Sequence, residues 1–200
     1  MLIDCQAPKL FYISEIGCQM PSYLAYISHA SCACGKVSIE ITGNPIASVA
    51  CYCTSCREAG RAFDRLQSLA NLVDEDGGTE MILVRKDRVQ CVRGGEFLEE
   101  HRLVERSPTR RVISVCCSSP MFLDFSKGHW LTMYRDRFEE KMLATQMRLM
   151  TGDRIPGKEL SDDVPNHKGH SIRFMINLLL PWFAMGFRRP KISWGKPVAN

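Results

Sequence analysis

The strongest constraint on this chain is its cysteine pattern. Ten of the 200 residues are cysteine, whereas the hydrophobic content of 45% and the charged content of 24% are ordinary for a globular protein. Seven of them stand in three short clusters, which are Cys32 and Cys34, then Cys51, Cys53 and Cys56, and finally Cys116 and Cys117. Thiols this close together serve as disulfides, redox groups, metal ligands or buried apolar side chains.

The beginning of the sequence favours reduced thiols. The first thirty residues hold one basic residue, Lys9, and their apolar stretches are interrupted by Asp4 and Glu15, so no export signal is readable. Met20 is an alternative start of the chain. We therefore expect a cytoplasmic protein, in which clustered cysteines more often bind metal or do chemistry than form disulfides.

The C-x-C-x-x-C spacing of Cys51, Cys53 and Cys56 suits one metal ion. Residues i and i+2 of an extended segment point the same way, and a turn brings the third sulfur to the same point. Zinc takes four ligands, and a site with three protein ligands keeps a position open, which is typical of catalytic zinc. Packing in the core and redox chemistry between Cys53 and Cys56 are the alternatives, and the second lacks the βαβ pattern that would support it.

The other two clusters, Cys32 with Cys34 and Cys116 with Cys117, are far apart in sequence and predict a zinc staple between two ends of a β domain. Adjacent residues of a strand point to opposite faces, so Cys116 and Cys117 can both be ligands only if the chain turns there. The sequence Ser-Ser-Pro that follows is compatible with a turn. Whether one or both are ligands, and whether one or two Zn²⁺ ions bind, stays open.

Hydrophobic periodicity predicts a mainly β centre. The segment "KVSIEITG" alternates Val37, Ile39 and Ile41 with polar residues, which indicates a half-buried strand. Further short strands are expected at 80–84, 88–92, 99–104, 110–115 and 121–125. Apolar residues at helical spacing after Cys56 predict an inserted amphipathic helix that ends at Gly77 and Gly78.

The C-terminal part has a different character. Residues 131–150 read as a helix, and an apolar stretch follows from Phe174 to Phe187. We expect this stretch to pack on the domain or on a second subunit, as in a homodimer; a membrane surface is the alternative, because "RRPK" follows and no acid occurs after Asp163. The predicted organisation is an N-terminal extension over 1–29, a zinc-binding β domain over 30–130 and a helical C-terminal extension over 131–200.

The net charge of +4 and pI of about 8.5 are mildly basic, so no nucleic-acid partner is expected.

The cysteine motifs resemble those of the glutathione-dependent formaldehyde-activating enzyme family, which includes the centromere protein V group. The matching segments are "CACGKVSIEITG", "CYCTSC" and "CCSSPMF", and they lie within residues 30–130. The resemblance implies a β-tent zinc fold of several short antiparallel strands. It also implies a structural zinc on Cys32, Cys34 and the late cysteines, and a second zinc on Cys51, Cys53 and Cys56.

The resemblance further implies an activity and a substrate. In the family's founding enzyme the second zinc site is associated with joining formaldehyde and glutathione into S-hydroxymethylglutathione, a carbon–sulfur lyase reaction in reverse. Glutathione carries two carboxylates, for which Arg57 and Arg61 are the expected partners, with Arg110 and Arg111 as further candidates. Solvated surface charge is the alternative reading of these arginines.

Two departures from the family pattern bear on these expectations. The late segment is usually C-x-x-C followed by Gly, but here Ser119 stands three residues after Cys116 and Ile113 three before it. The first zinc site therefore has several alternative ligand sets. The C-terminal part lies outside the usual domain, which supports a second reading of the whole chain as a non-catalytic, zinc-stabilised binding module that docks a partner or membrane surface through its C-terminal helix.

Overall fold

The computed structural model describes residues 26–65, 72–138, 144–192 and 194, and within them it contains ten strands and two helices. The strands are β1 (Ile27–Ser31), β2 (Ser38–Thr42), β3 (Ala47–Cys51), β4 (Thr79–Arg85), β5 (Val89–Arg93), β6 (Leu98–His101), β7 (Thr109–Ser114), β8 (Ser119–Phe125), β9 (Trp130–Tyr134) and β10 (Met147–Leu149). The helices are α1 (Thr54–Arg65) and α2 (Ile172–Ala184). The predicted fold class, mainly β with an inserted helix and a C-terminal helix, is confirmed.

The strands form two sheets. A small antiparallel sheet has the order β1-β2-β5, and a large sheet has the order β10-β3-β4-β9-β8-β7-β6. All neighbours in the large sheet are antiparallel except β10 and β3. The strands expected from period-two alternation at the centre of the chain are therefore present, and the predicted strand in "KVSIEITG" is β2, in which Ile39 and Ile41 are buried.

The large sheet is the middle layer of three. Side chains such as Ile82 and Val84 of β4 point to one face and pack with Ile39 and Ile41 of the small sheet. Their neighbours Met81 and Leu83 point to the other face, where α1 and α2 cover the sheet. Because successive residues of a strand alternate between faces, one set of strands supplies both cores.

The buried residues of helix α1 are spaced so that they lie on one face of the helix. Cys56, Ala59, Gly60 and Phe63 are buried. A Cβ atom added at Gly60 would lie 2.5 Å from Cγ2 of Val73, so the segment after the helix can approach α1 this closely only over a glycine.

Helix α2 begins at a side-chain cap, because the hydroxyl of Ser171 accepts a hydrogen bond of 3.1 Å from the backbone N–H of Phe174. Its inner face buries Phe174 and Leu178. Near its end Trp182 stacks on the buried His129, with ring centroids 5.6 Å apart and planes 1° apart. Seven large apolar side chains of α2 and the turn after it remain exposed, which are Ile172, Met175, Ile176, Leu179, Leu180, Phe183 and Phe187. Within the described residues no helix has the length and apolar content needed to cross a membrane.

Two sequence expectations about helices are wrong. The helix predicted over 131–150 is replaced by β9, which pairs with β4 and β8 at the centre of the large sheet, and by β10. Residues 139–143 lie outside the described part. The apolar positions of this stretch also fit period two, as the buried Leu131 and Met133 show. The pairing of β9 with a strand on each side outweighs the helix propensity of its residues. The helix predicted to reach Gly77 is α1, and residues 72–78 are not helical.

A buried ionic cluster joins the end of β4 to β8. The Nζ atom of Lys86 lies 2.6 Å from a carboxylate oxygen of Asp124, and both side chains are at most 4% exposed. Lys86 also donates to the carbonyls of Phe125 and Gly128, while Arg110 donates twice to the other carboxylate oxygen of Asp124. The cluster is satisfied only as a unit, because removing the acid would leave a buried ammonium without its counter-charge.

We expect Asp124→Ala to lower the free energy of unfolding by about 3–5 kcal/mol, because it leaves Lys86 buried and unpaired. Asp87→Ala, which removes the more exposed partner of Arg85, serves as the control and should change it by less than about 1 kcal/mol. Urea denaturation followed by circular dichroism measures both. Equal losses in the two variants would show that the buried cluster does not hold the sheet together.

Candidate metal centres and the adjoining cavity

Four thiols, two from the small sheet's β1–β2 connection and two from the large sheet's β7–β8 turn, converge at one point. The Sγ atoms of Cys32, Cys34, Cys116 and Cys117 all lie within 4.8 Å of one another. Neighbouring sulfurs are separated by 3.5 to 3.9 Å. Four thiolates at about 2.3 Å around a tetrahedral zinc ion would be about 3.8 Å apart. The donor set and its spacing therefore fit a closed, four-thiolate metal site.

The adjacent pair Cys116 and Cys117 reaches one point because the chain turns there. Residues 115–118 form the turn between β7 and β8, and Ser118 has a φ of 51°, in the left-handed region. The rule that neighbouring strand residues diverge does not apply in such a turn. The structure thus brings both cysteines into the group, which the sequence alone had left open.

Ser119 supports this group from the start of β8. It is buried, its hydroxyl accepts a hydrogen bond of 3.1 Å from the backbone N–H of Ala33, and it lies 3.1 Å from Sγ of Cys117. Burial opposes ionisation of Cys117, but hydrogen bonds with Ser119 and Ser114 outweigh it and lower the pKa to about 6. The residue that replaces a cysteine of the family pattern is therefore a hydrogen-bond partner of the thiol group, while Cys117 adds the fourth sulfur.

A second group of three thiols lies on the opposite face of the large sheet. Cys51 ends β3, Cys53 directly precedes α1, and Cys56 lies in the first turn of α1. Their Sγ atoms lie within 4.8 Å of one another, and those of Cys53 and Cys56 are 3.3 Å apart. Among the described residues no histidine, acid or further cysteine joins this group. The trio predicted from the C-x-C-x-x-C spacing is thus assembled as three sulfurs.

The trio favours a thiolate on one of its members, Cys53. Hydrogen bonds with Cys51 and Cys56 lower the pKa of the Cys53 thiol, and the nearby Arg111 lowers it further. The same interaction with Cys53 raises the pKa of Cys51 to about 12, and hydrogen bonds with Cys51 and Cys53 raise that of Cys56. Cys53 also gains from its place at the start of a helix, where backbone N–H groups and the helix dipole favour a thiolate.

A cavity of about 470 Å³ adjoins the three thiols. It lies between the large sheet and α2. Alternate residues of neighbouring strands point to the same face of the sheet and form one wall of the cavity. The strands contribute Val49, Met81, Leu83, Leu123, Phe125 and Trp130 to its wall. Helix α2 contributes Phe174, Met175 and Leu178, and His170 lies just before the helix.

Arg111 is the buried cation of this cavity. It is 2% exposed, and its Nη2 donates to the carbonyl and the hydroxyl of Ser55, at 3.0 and 2.7 Å. Its Nε has no hydrogen-bond partner within the described part of the chain. Arg111 therefore ties β7 to the first turn of α1 and leaves one donor unpaired.

The two arginines favoured from sequence lie elsewhere. Nη1 of Arg57 donates to the carbonyl of Tyr52 at 2.6 Å, and Arg61 is exposed on α1. Neither lines the cavity, whereas Arg111 does. Residues of one helix point in several directions, so closeness to the motif in sequence does not put an arginine on the cavity wall, whereas Arg111 of β7 lies on it. The contribution of Phe174 and Leu178 was not foreseen either, although their segment had been singled out as apolar.

Comparisons with known proteins bear on the segment that holds two of the cysteine clusters. Residues 27–73 match the family model described as "Glutathione-dependent formaldehyde-activating enzyme". No curated protein matches the chain. Among solved structures, a Rhodobacter sphaeroides protein determined as a structural-genomics target has 16% identity and a TM-score of 0.40, over 69% of this chain and 98% of that one. A TM-score this low supports no inference about the present chain.

We expect the purified full chain to carry two zinc ions, because both thiol groups have the donor set and spacing of zinc sites. Cys53→Ser and Cys117→Ser should each lower the zinc content from two ions to about one per chain. Cys91→Ser is the matched control, since Cys91 belongs to neither group, and it should keep both ions. Elemental analysis measures the content; two ions retained in Cys53→Ser would contradict a metal site on the trio.

Proposed function

Because the chain is a member of the glutathione-dependent formaldehyde-activating enzyme-like family by its residues 27–73, we propose that it is a zinc-dependent carbon–sulfur lyase acting on the adduct of a small thiol and an aldehyde. The observation that carries this proposal is the position of Cys51, Cys53 and Cys56 on the wall of a cavity large enough for a small molecule. A closed structural site would have no need of such a space.

The reaction needs a sulfur nucleophile and an electrophilic carbonyl. In the direction of synthesis the thiol sulfur bonds to the carbonyl carbon, the carbonyl π electrons move to oxygen, and the thiol proton ends on that oxygen. A zinc ion on Cys51, Cys53 and Cys56 would supply Lewis acidity and keep a substrate thiol as thiolate. No oxidant or reductant takes part in this reaction.

The protein's own side chains would orient the reactants and set the electrostatics. Arg111 contributes a fixed positive charge beside the trio, where negative charge develops on sulfur or on the aldehyde oxygen. The apolar wall from the strands and α2 keeps water from the reacting atoms, which strengthens the effect of that charge. Arg111 itself is held by Ser55 at the start of α1, so its position depends on the same helix that carries Cys56.

The four-thiol group has a different proposed part. It links the turn before β2 to the turn between β7 and β8, so a zinc ion there would join the small sheet to the large one and add its binding free energy to folding. The proposed division is one ion for stability and one for chemistry.

The activity is tested by NMR exchange spectroscopy of zinc-loaded protein with formaldehyde and a series of thiols, including glutathione. We expect the protein to accelerate exchange between free and adduct forms, and Cys53→Ser to lower the rate by about 100-fold or more through loss of the site. Arg61→Ala is the control, since its side chain is exposed and outside the cavity, and should retain the rate. Exchange no faster than in buffer across all thiols and aldehydes would overturn the proposal.

A second candidate function, docking on an anionic membrane surface through α2, rests on the exposed side of that helix. Leu180 is 63% exposed and Phe183 is 70% exposed. The cations on and after the helix in the sequence are Arg173, Arg188, Arg189, Lys191 and Lys196, and the sequence has no acid after Asp163. An apolar helix face bordered by basic residues suits the boundary between lipid headgroups and acyl chains.

For this candidate we expect the full chain to float with phosphatidylserine-containing vesicles and to be released by salt. Phe183→Glu should weaken binding about tenfold or more, because it removes a large apolar side chain from the lipid-facing side. Val104→Glu, at a position 68% exposed elsewhere on the molecule, is the control. Equal flotation of the two variants, or concentration-dependent self-association without any flotation, would overturn this candidate.

A further inference from the structure

We infer that the cavity beside Cys51, Cys53 and Cys56 selects an apolar substrate carrying a single carboxylate or carbonyl group, in preference to glutathione. This inference rests on the proposed function, because it names the substrate class of the same site. It follows from the wall of the cavity, from the charges it offers and from the unpaired donor of Arg111.

The wall of the cavity is mostly hydrocarbon. Within the described part of the chain, ten lining side chains are apolar, and the polar ones apart from the thiols are three hydroxyl groups, Arg111 and His170. The sheet produces this composition, since β4 and β8 each send alternate apolar side chains to the cavity and β9 adds Trp130. An apolar ligand would bury its surface against this wall with a free-energy gain proportional to the area.

The charges of the cavity do not complement glutathione. That tripeptide carries two carboxylates and one ammonium group besides its thiol, and each needs a partner if it leaves water. Among the described residues, Arg111 is the one buried cation of the lining, and no carboxylate lines the cavity to receive the ammonium. Arg57 and Arg61, the partners expected from sequence, do not line it.

Arg111 lines the cavity and keeps one donor without a partner among the described residues. Its Nη2 is used by Ser55, but its Nε lacks a partner, and none of the ion pairs among the described residues involves it. A buried donor without an acceptor is unfavourable, and a carboxylate or carbonyl oxygen from the ligand would satisfy it. An apolar ligand with one carboxylate or carbonyl group therefore matches the cavity. A ligand with several polar groups would leave some of them without a hydrogen-bond partner there.

Helix α2 makes the selection testable. Leu178 is 6% exposed and lines the cavity, while Leu180, two residues along the same helix, is 63% exposed and does not. A polar substitution at the first position changes the wall, and the same substitution at the second changes only the outer surface. The pair separates an effect on the cavity from an effect on the helix.

The experiment is isothermal titration calorimetry of the zinc-loaded full chain with three thiols: 2-mercapto-3-phenylpropanoate, 2-phenylethanethiol and glutathione. We expect the first to bind about tenfold or more tightly than glutathione, and the second to lie between them. Leu178→Gln should weaken binding of both aromatic thiols about tenfold, and Leu180→Gln should leave it unchanged. Arg111→Gln, checked for folding by circular dichroism, should remove the advantage of the carboxylate.

The outcomes separate this inference from the proposed activity, since binding is measured without turnover. Tight binding of the aromatic thiols with no adduct exchange would leave the inference standing and remove the lyase. Glutathione binding as tightly as the aromatic thiols would overturn the inference, even if exchange is fast. Equal effects of Leu178→Gln and Leu180→Gln would overturn it as well, because the cavity wall would then not be the contact. If Arg111→Gln does not fold, the affinities of the wild-type protein for the three thiols test the inference on their own.

Discussion

The alternation of side chains across the large sheet is the constraint on which the rest of the molecule depends. Strand β7 shows it in two adjacent residues. Arg110 points to one face and completes the buried cluster around Asp124, while Arg111 points to the other and lies beside the trio of thiols. A shift of one residue in the pairing of β7 with β8 would exchange these two environments, so the register serves stability and chemistry together.

The two thiol groups use different local devices to bring sulfurs together. The group of four depends on a turn, in which Ser118 adopts a left-handed backbone and lets neighbouring cysteines converge. The group of three depends on a transition from strand to helix, so that Cys51 comes from the end of β3, Cys53 from the link to α1, and Cys56 from the first helical turn. The second device also places the trio at the start of a helix, whose dipole favours negative charge, whereas in the group of four the backbone N–H of Val37 donates to Sγ of Cys32.

Much of this arrangement was predictable from sequence, and the parts that were not share a physical reason. Local spacing sufficed for the trio Cys51, Cys53 and Cys56, and period two sufficed for β2, β4 and β8. Strand β9 was mistaken for a helix because its apolar residues fit both periods, and only its pairing on both sides decides.

The same limit explains the arginines and the late cysteines. The choice of Arg111 over Arg57 depends on which residue crosses the sheet toward the thiols, and that is a property of topology. The joint membership of Cys116 and Cys117 depends on a single backbone angle at Ser118, which no spacing rule encodes. Long-range pairing and individual dihedral angles therefore account for what sequence patterns could not predict.

Helix α2 faces two environments at once, and thermodynamics couples them. Phe174 and Leu178 lie against the cavity while Leu180 and Phe183 face outward from the same rigid element. If filling the cavity and binding at the outer side both favour the same placement of the helix, each raises the affinity of the other by the same factor, since linkage is reciprocal. Substrate affinity and affinity for a surface would then both depend on the placement of α2, and a mutation that changes this placement would alter both.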